Sequence, residues 1–175
     1  YDVNNNKLFI RDLGIELIAN LKRILAHVVK PNLVQTLAGT PAFIHGGPFA
    51  NIAHGCSSII ATKTALSVSD YVITEAGFGV DLGAEKFLDI KCRVGNFKPS
   101  AIVIVVTKRA IEHHGYSKGI QLVIDHCNML KNVYGIPVVI AINKFANDNI
   151  DELCTLKDIF VKNDISCEIC SSWED

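Results

Sequence analysis

Between residues 35 and 93 the chain reads QTLAGTPAFIHGGPFANIAHGCSSIIATKTALSVSDYVITEAGFGVDLGAEKFLDIKCR, where glycine, histidine, small polar and acidic residues crowd together beyond any need of a packed core. Glycines 39, 46, 47, 55, 77, 79 and 83 let a backbone approach a ligand or take positive φ, while His45, Asn51, His54, Glu75 and Asp81 supply polar side chains. His45 and His54 each have a glycine beside them, a setting in which an imidazole can reach a phosphate or shuttle a proton. One of the two is expected to be a structural hydrogen-bonding residue. They stand nine residues apart, neither a helical i, i+4 pair nor a short chelating loop, so no metal site is expected.

Three polar groups follow apolar runs. Thr74-Glu75-Ala76-Gly77-Phe78-Gly79 combines an acid, small residues and an aromatic, suited to a cation-bound phosphate or the polar edge of a heterocycle; the plainer reading is a tight strand-to-helix turn. Gly77 and Gly79 do not complete a dinucleotide fingerprint, because Leu82 stands where its third glycine belongs, and a dehydrogenase-like enzyme is disfavoured on that ground. Thr107-Lys108-Arg109 offers a guanidinium that can grip a carboxylate or phosphate with paired hydrogen bonds, or a salt bridge to an acid on the next helix. Asn143-Lys144-Phe145 ends the third run, and Phe145 and Trp173 are flat rings able to sandwich a heterocycle, with core packing the default for the phenylalanine.

The elements that must position these groups follow from periodicity. Leu17, Ile18, Leu21, Ile24, Leu25 and Val28 predict an amphipathic helix that Pro31 stops. Tyr71-Val72-Ile73, Ala101 to Val106 and Val138 to Ile142 are apolar runs expected as strands of a parallel sheet covered on both faces. Ile120, Val123, Ile124, Cys127 and Leu130 predict a helix between the last two runs, and Gly135-Ile136-Pro137 the turn that follows it. Ile150, Leu153, Leu156, Ile159 and Phe160 predict another helix, and Ser166 to Cys170 a last short strand. The alternation argues for an α/β fold with a largely parallel sheet and flanking helices, in which ligands sit beyond the carboxyl ends of the strands.

The 175 residues, 49% hydrophobic and 20% charged, are enough for one globular domain or pieces of two. A net charge of -1 gives no pull toward nucleic acid or anionic lipid, which leaves small-molecule chemistry. The six cysteines are scattered and expected as free buried thiols; Cys167 and Cys170 form a C-x-x-C without the second pair a zinc site needs. No signal peptide or membrane-spanning apolar run is legible, and a reducing cytoplasm is the expected compartment.

The runs KPNLVQTLAGTPAFIHGGPFANIAHGCSS, YVITEAGFGVDLGAEKFLDIKCR and IPVVIAINKF, with Val105-Val106-Thr107-Lys108-Arg109-Ala110 leading to Gly115, resemble formate-tetrahydrofolate ligase in order from Asp12 to Trp173. The resemblance implies ATP-dependent joining of formate to tetrahydrofolate through formyl phosphate, giving 10-formyltetrahydrofolate, ADP and phosphate. It further implies magnesium with the ATP, a monovalent cation, and a homo-oligomer. By motif position Phe145 and Trp173 fall on the aromatics that sandwich the pterin, with Asn143 beside them. Gly77, Phe78, Gly79, Asp81 and Gly83 fall on the substrate-binding loop, and His45, His54, Glu75 and Arg109 are the catalytic candidates. Residues 1–115 then belong to a nucleotide-binding domain and 116–175 to an α/β folate-binding region.

The chain also departs from the family. No G-x-x-x-x-G-K-[ST] phosphate loop occurs, so the chain is expected to be an internal third of a phosphate-loop-type parent fold, inactive by itself. The connection after Gly115 is shorter than the family's, and Lys108 replaces an aliphatic residue. A second reading of the same likeness is a non-catalytic folate-binding or assembly module.

Overall fold

The apolar periodicities resolve into elements in a computed structural model that describes residues 14–46 and 53–172. The chain divides into two compact units that part between Gly95 and Asn96. Residue 115 lies inside the second unit.

In the first unit the predicted amphipathic helix is α1, Ile15–Leu25, with Glu16 in its first turn and Lys22 and Arg23 in its last, which suits the helix dipole. None of its residues is buried, and Ile24 is 69% exposed, so its apolar stripe is open. Strands β1, Asn32–Gln35, and β2, Pro41–Ile44, form an antiparallel hairpin in which Asn32 faces Ile44 and Gln35 faces Pro41. Gly39, at φ 84°, and the bond from the Thr36 amide to the Thr40 carbonyl (2.9 Å) close its turn. This hairpin was not expected, since its strands are only four residues long and Pro41 reads as a turn residue. Helix α2, Ile59–Val68, begins at Ser58, whose hydroxyl accepts from the Ala61 amide (3.0 Å).

Tyr71-Val72-Ile73 corrects the sequence expectation: no strand forms there, and Tyr71 and Ile73 are 91% and 98% exposed. A β-branched run becomes a central strand only where neighbours take up its N–H and C=O groups, and it pairs with no strand among the described residues. Beyond it, a helical segment contains two π-helical stretches, Val80–Ala84 and Phe87–Cys92, and ends in α3, Arg93–Gly95. Its buried face carries Gly83, Phe87, Leu88, Lys91, Cys92 and Gly95.

The second unit bears out the parallel α/β expectation. Strands β3, Ile102–Val106, β4, Val138–Asn143, and β5, Ser166–Cys170, lie side by side in that order, all parallel. Helices α4, Lys108–His113, and α5, Tyr116–Asn132, connect β3 to β4, and α6, Ile150–Lys162, connects β4 to β5. Of the predicted positions, Ile120, Ile124, Cys127 and Leu130 on α5 and Leu153, Leu156 and Phe160 on α6 are buried, whereas Val123 and Ile159 are intermediate and Ile150 is exposed. Ile104, Ile140 and Ile142 on the sheet are likewise buried.

Coverage on both faces is not observed. Val103 and Val105 are 61% and 66% exposed, whereas Ile104 and Val106 between and beyond them are buried. Strands in sequence order with crossovers of one hand place both helices on the same face, leaving the Val103–Val105 face open. The short connection after His113 makes a tight corner. Gly115 takes φ 79°, and α5 packs so closely on α4 that a Cβ at Gly119 would lie 2.3 Å from the Ile111 carbonyl oxygen. No described helix is long and apolar enough to cross a membrane.

All six cysteines are free, but only Cys92, Cys127 and Cys167 are buried; Cys56 and Cys154 are exposed and Cys170 is intermediate. Burial pushes the thiols of Cys127 and Cys167 up to about 11 from 9.0. Their folded pKa values exceed the unfolded one, so the stabilisation is whole below about pH 9 and is lost as pH rises toward 11. The second unit is expected to lose stability across that window. Urea midpoints at pH 8 and pH 10.5, followed by circular dichroism, check this, with Cys127→Ala and Cys167→Ala flattening the slope.

Candidate functional site

The candidate residues fall into two groups, one in each unit. Trp173, with Gly47 and Asn51, lies outside the described residues.

In the first unit His45 follows β2 and is held at both ring nitrogens. Nδ1 lies 2.6 Å from the Ser58 hydroxyl and Nε2 lies 2.7 Å from the Val28 carbonyl oxygen. A carbonyl only accepts, so Nε2 donates, and in the neutral ring Nδ1 accepts from the Ser58 hydroxyl. That ring ties the hairpin to the end of α1 and to the cap of α2, leaving neither nitrogen free. His54 is exposed, with no hydrogen bond among the described residues. Of the two histidines, His45 is the hydrogen-bonded one among the described residues.

The loop Glu75 to Gly79 owes its shape to its glycines and to what packs beneath it. Gly77 takes φ 72° and Phe78 φ 53°, and Phe78 is 68% exposed, so the loop presents an aromatic ring outward on a left-handed backbone. Gly83 lies directly under it: a Cβ there would sit 1.4 Å from the Gly77 carbonyl oxygen. The Gly83 amide donates to the Gly79 carbonyl at 2.8 Å, starting the helical segment, and the Asp81 carboxylate stands beside Gly79. Glu75 is exposed and joined to Cys56 twice. The Cys56 amide donates to its carbonyl (3.5 Å) and the thiol to its carboxylate (3.6 Å). Burial, then the bond to Glu75, pushes that thiol's pKa up.

In the second unit the carboxyl ends of β3 and β4 bring Arg109 and Phe145 together. The guanidinium carbon lies 5.4 Å from the ring centroid, a cation–π contact between residues 36 apart in sequence. No carboxylate pairs with Arg109 among the described residues, so its fork of donors is open to an anion. Phe145 is held by its amide, which donates to Asp148 (2.9 Å). Asn143 accepts from the Ser172 hydroxyl (3.1 Å) and amide (3.4 Å), which anchors the residue before Trp173 to the end of β4. Lys108 takes the salt-bridge reading: its ammonium lies 2.5 Å from Glu152 and 3.3 Å from Glu112, bonds that raise its pKa. His113 and His114 are exposed, their rings edge-on 5.5 Å apart.

Two residues escaped the sequence reading. Lys91 is 3% exposed, and its ammonium donates to the Ser57 carbonyl (2.7 Å) and lies 5.2 Å from the centre of the Phe87 ring. Burial pushes its pKa down, and the Cys92 and Cys56 thiols act the other way. The hydroxyl of Ser57 is itself buried, with no hydrogen-bond partner among the described residues. The available signal was position: Lys91 stands one helical turn after Phe87 and one before Gly95, on the face that packs inward.

Among the described residues no three His, Cys, Asp or Glu side chains gather as a metal site. Across all its residues, 1–175, the chain matches the family model described as formate-tetrahydrofolate ligase. It is 47% identical over 187 aligned positions to a formate-tetrahydrofolate ligase of Campylobacter concisus (strain 13826). The match covers 99% of this chain and 34% of that relative, so the chain spans about a third of the relative's length. Matched by that family model over residues 1–175, the chain belongs to the formate-tetrahydrofolate ligase family.

Proposed function

We propose that the second unit carries part of the folate site of a ligase that couples ATP cleavage to the joining of formate and tetrahydrofolate, through formyl phosphate. The observation that carries the reading is the Arg109–Phe145 pair at the ends of β3 and β4, in a chain matched throughout by the family model. In the proposed reaction the folate N10 attacks the formyl carbon, the new C–N bond replaces the C–O bond to phosphate, and phosphate departs as the amine gives up its proton. Arg109 binds the phosphate oxygens through its open donors. Phe145, with the guanidinium on one face, offers its other face to the pterin, with Trp173 as the proposed second wall. Asn143 holds the segment that leads to that tryptophan.

Within the first unit His54 and Glu75 remain catalytic candidates by family likeness, whereas His45 organises the loops around it. Also within the first unit, Gly77, Phe78, Gly79 and Asp81 form the candidate substrate loop, with Gly83 packed beneath Gly77. The sequence has no phosphate loop, and no described cluster fits magnesium or a monovalent cation, so no step here runs through either. In this proposal the isolated chain does not turn over ATP. Tetrahydrofolate binding to the chain joined to the rest of a family ligase tests the reading. Phe145→Ala is expected to weaken that binding about tenfold, on the order of the 1 kcal/mol of a stacked aromatic pair plus lost burial. Absence of tetrahydrofolate binding in the joined protein, or an unchanged Kd in the variant, would overturn it.

A further inference from the structure

We infer that Lys91 is a positioning residue that fixes Glu75 and its glycine loop by closing a triangle of three chain segments. The corners are residues 54–58, the loop 75–79, and the helical segment from Val80 to Gly95. The first side joins Cys56 to Glu75, through backbone at 3.5 Å and thiol at 3.6 Å. The second joins the loop to the helical segment, where Gly83 donates to Gly79 at 2.8 Å and leaves no room for a side chain beneath Gly77. Lys91 supplies the third, reaching from the helical segment to the Ser57 carbonyl at 2.7 Å.

The setting of Lys91 fits holding rather than pairing. It is 3% exposed, no carboxylate neutralises it among the described residues, and a carbonyl and the face of Phe87 are what receive its charge. Gly55, at φ 140°, accommodates this: a Cβ there would meet Phe87 at 2.9 Å and the Lys91 stem at 3.2 Å. A desolvated ammonium without an anionic partner is costly to keep. Its retention is explained if the one bond it makes fixes the loop whose Cys56 in turn holds Glu75. The inference rests on the proposed role of that loop in the ligase, but its test does not.

The Cys56 thiol reports the triangle directly, because burial and the Glu75 bond raise its pKa while Lys91 lowers it. Peptide-resolved alkylation of the chain with iodoacetamide across pH gives the Cys56 titration. If Lys91 positions the loop, Lys91→Met frees Cys56 from Glu75 and its pKa falls toward the ordinary 9.0, although a nearby cation has gone. If Lys91 is only an electrostatic neighbour, the same substitution raises the Cys56 pKa; a rise, or no change, overturns the inference. Buried Cys92 serves as the folding control. Should Cys92 become reactive in Lys91→Met, the decision passes to Lys91→Arg, which keeps the donor. Hydrogen exchange at the Cys56 amide, which donates to Glu75, is then read: protection kept in Lys91→Arg and lost in Lys91→Met supports the inference, and equal protection in the two overturns it. No folate or ATP enters the assay, so its failure and failure of the ligase reading are separately visible.

Discussion

Gly83→Ala is expected to be among the most damaging single substitutions in the first unit, costing more than about 3 kcal/mol and collapsing the loop from Glu75 to Gly79. The added Cβ would lie 1.4 Å from the Gly77 carbonyl oxygen and 2.7 Å from that of Ala76. Both obstacles are backbone, so no side chain can swing aside. Overpacking that forces backbone to move exceeds the roughly 1–3 kcal/mol of ordinary core enlargement. Gly79→Ala is the matched control. Its Cβ would meet only the Asp81 carboxylate, at 2.6 Å, and Gly79 sits at φ -76°, which any residue adopts. Hydrogen exchange at the Gly83 amide, bonded to Gly79, should accelerate strongly in Gly83→Ala and little in Gly79→Ala. Equal exchange in the two variants would contradict the packing argument.

Phe160→Ala is expected to cost about 3–5 kcal/mol in the second unit, the usual toll for removing a fully buried phenylalanine. The ring on α6 is 0% exposed, as are Leu153 on the same helix and Ile140 and Ile142 on the sheet. Stability of roughly 0.05–0.15 kcal/mol per residue leaves a unit of this size only about 4–12 kcal/mol to lose, so the variant approaches unfolding. Val105→Thr is the comparison on the opposite face. With Val105 66% exposed, the change should stay within about 0.5 kcal/mol. Urea unfolding followed at 222 nm distinguishes them, and a Val105→Thr loss as large as that of Phe160→Ala would mean the open face is covered after all.

The contrast between those faces shows how far local sequence carries. Leu153, Leu156 and Phe160 repeat at helical spacing, and β3, β4 and β5 are short runs rich in apolar residues, so local pattern favours their secondary structure and the pairing of the three strands completes it. The run Tyr71-Val72-Ile73 carries an equally strong strand signal, yet a strand exists only with a partner, and partnership is a property of the whole chain. Coverage of Val103 and Val105 depends in the same way on where the crossovers run.

For the candidate site, the sequence by itself determined residue chemistry and turn requirement: the glycines at 77 and 83, the acid at 75, the arginine and phenylalanine at two strand ends, and a family likeness that the full-length match supports. Only the tertiary structure decided the partners. It placed Arg109 over Phe145, took both nitrogens of His45 for hydrogen bonds, paired Lys108 with two glutamates, and buried Lys91 against the Ser57 carbonyl. The physical reason is range. Conformational preference acts over a few residues, whereas hydrogen bonds, ion pairs and desolvation act between groups that only folding brings within a few ångströms.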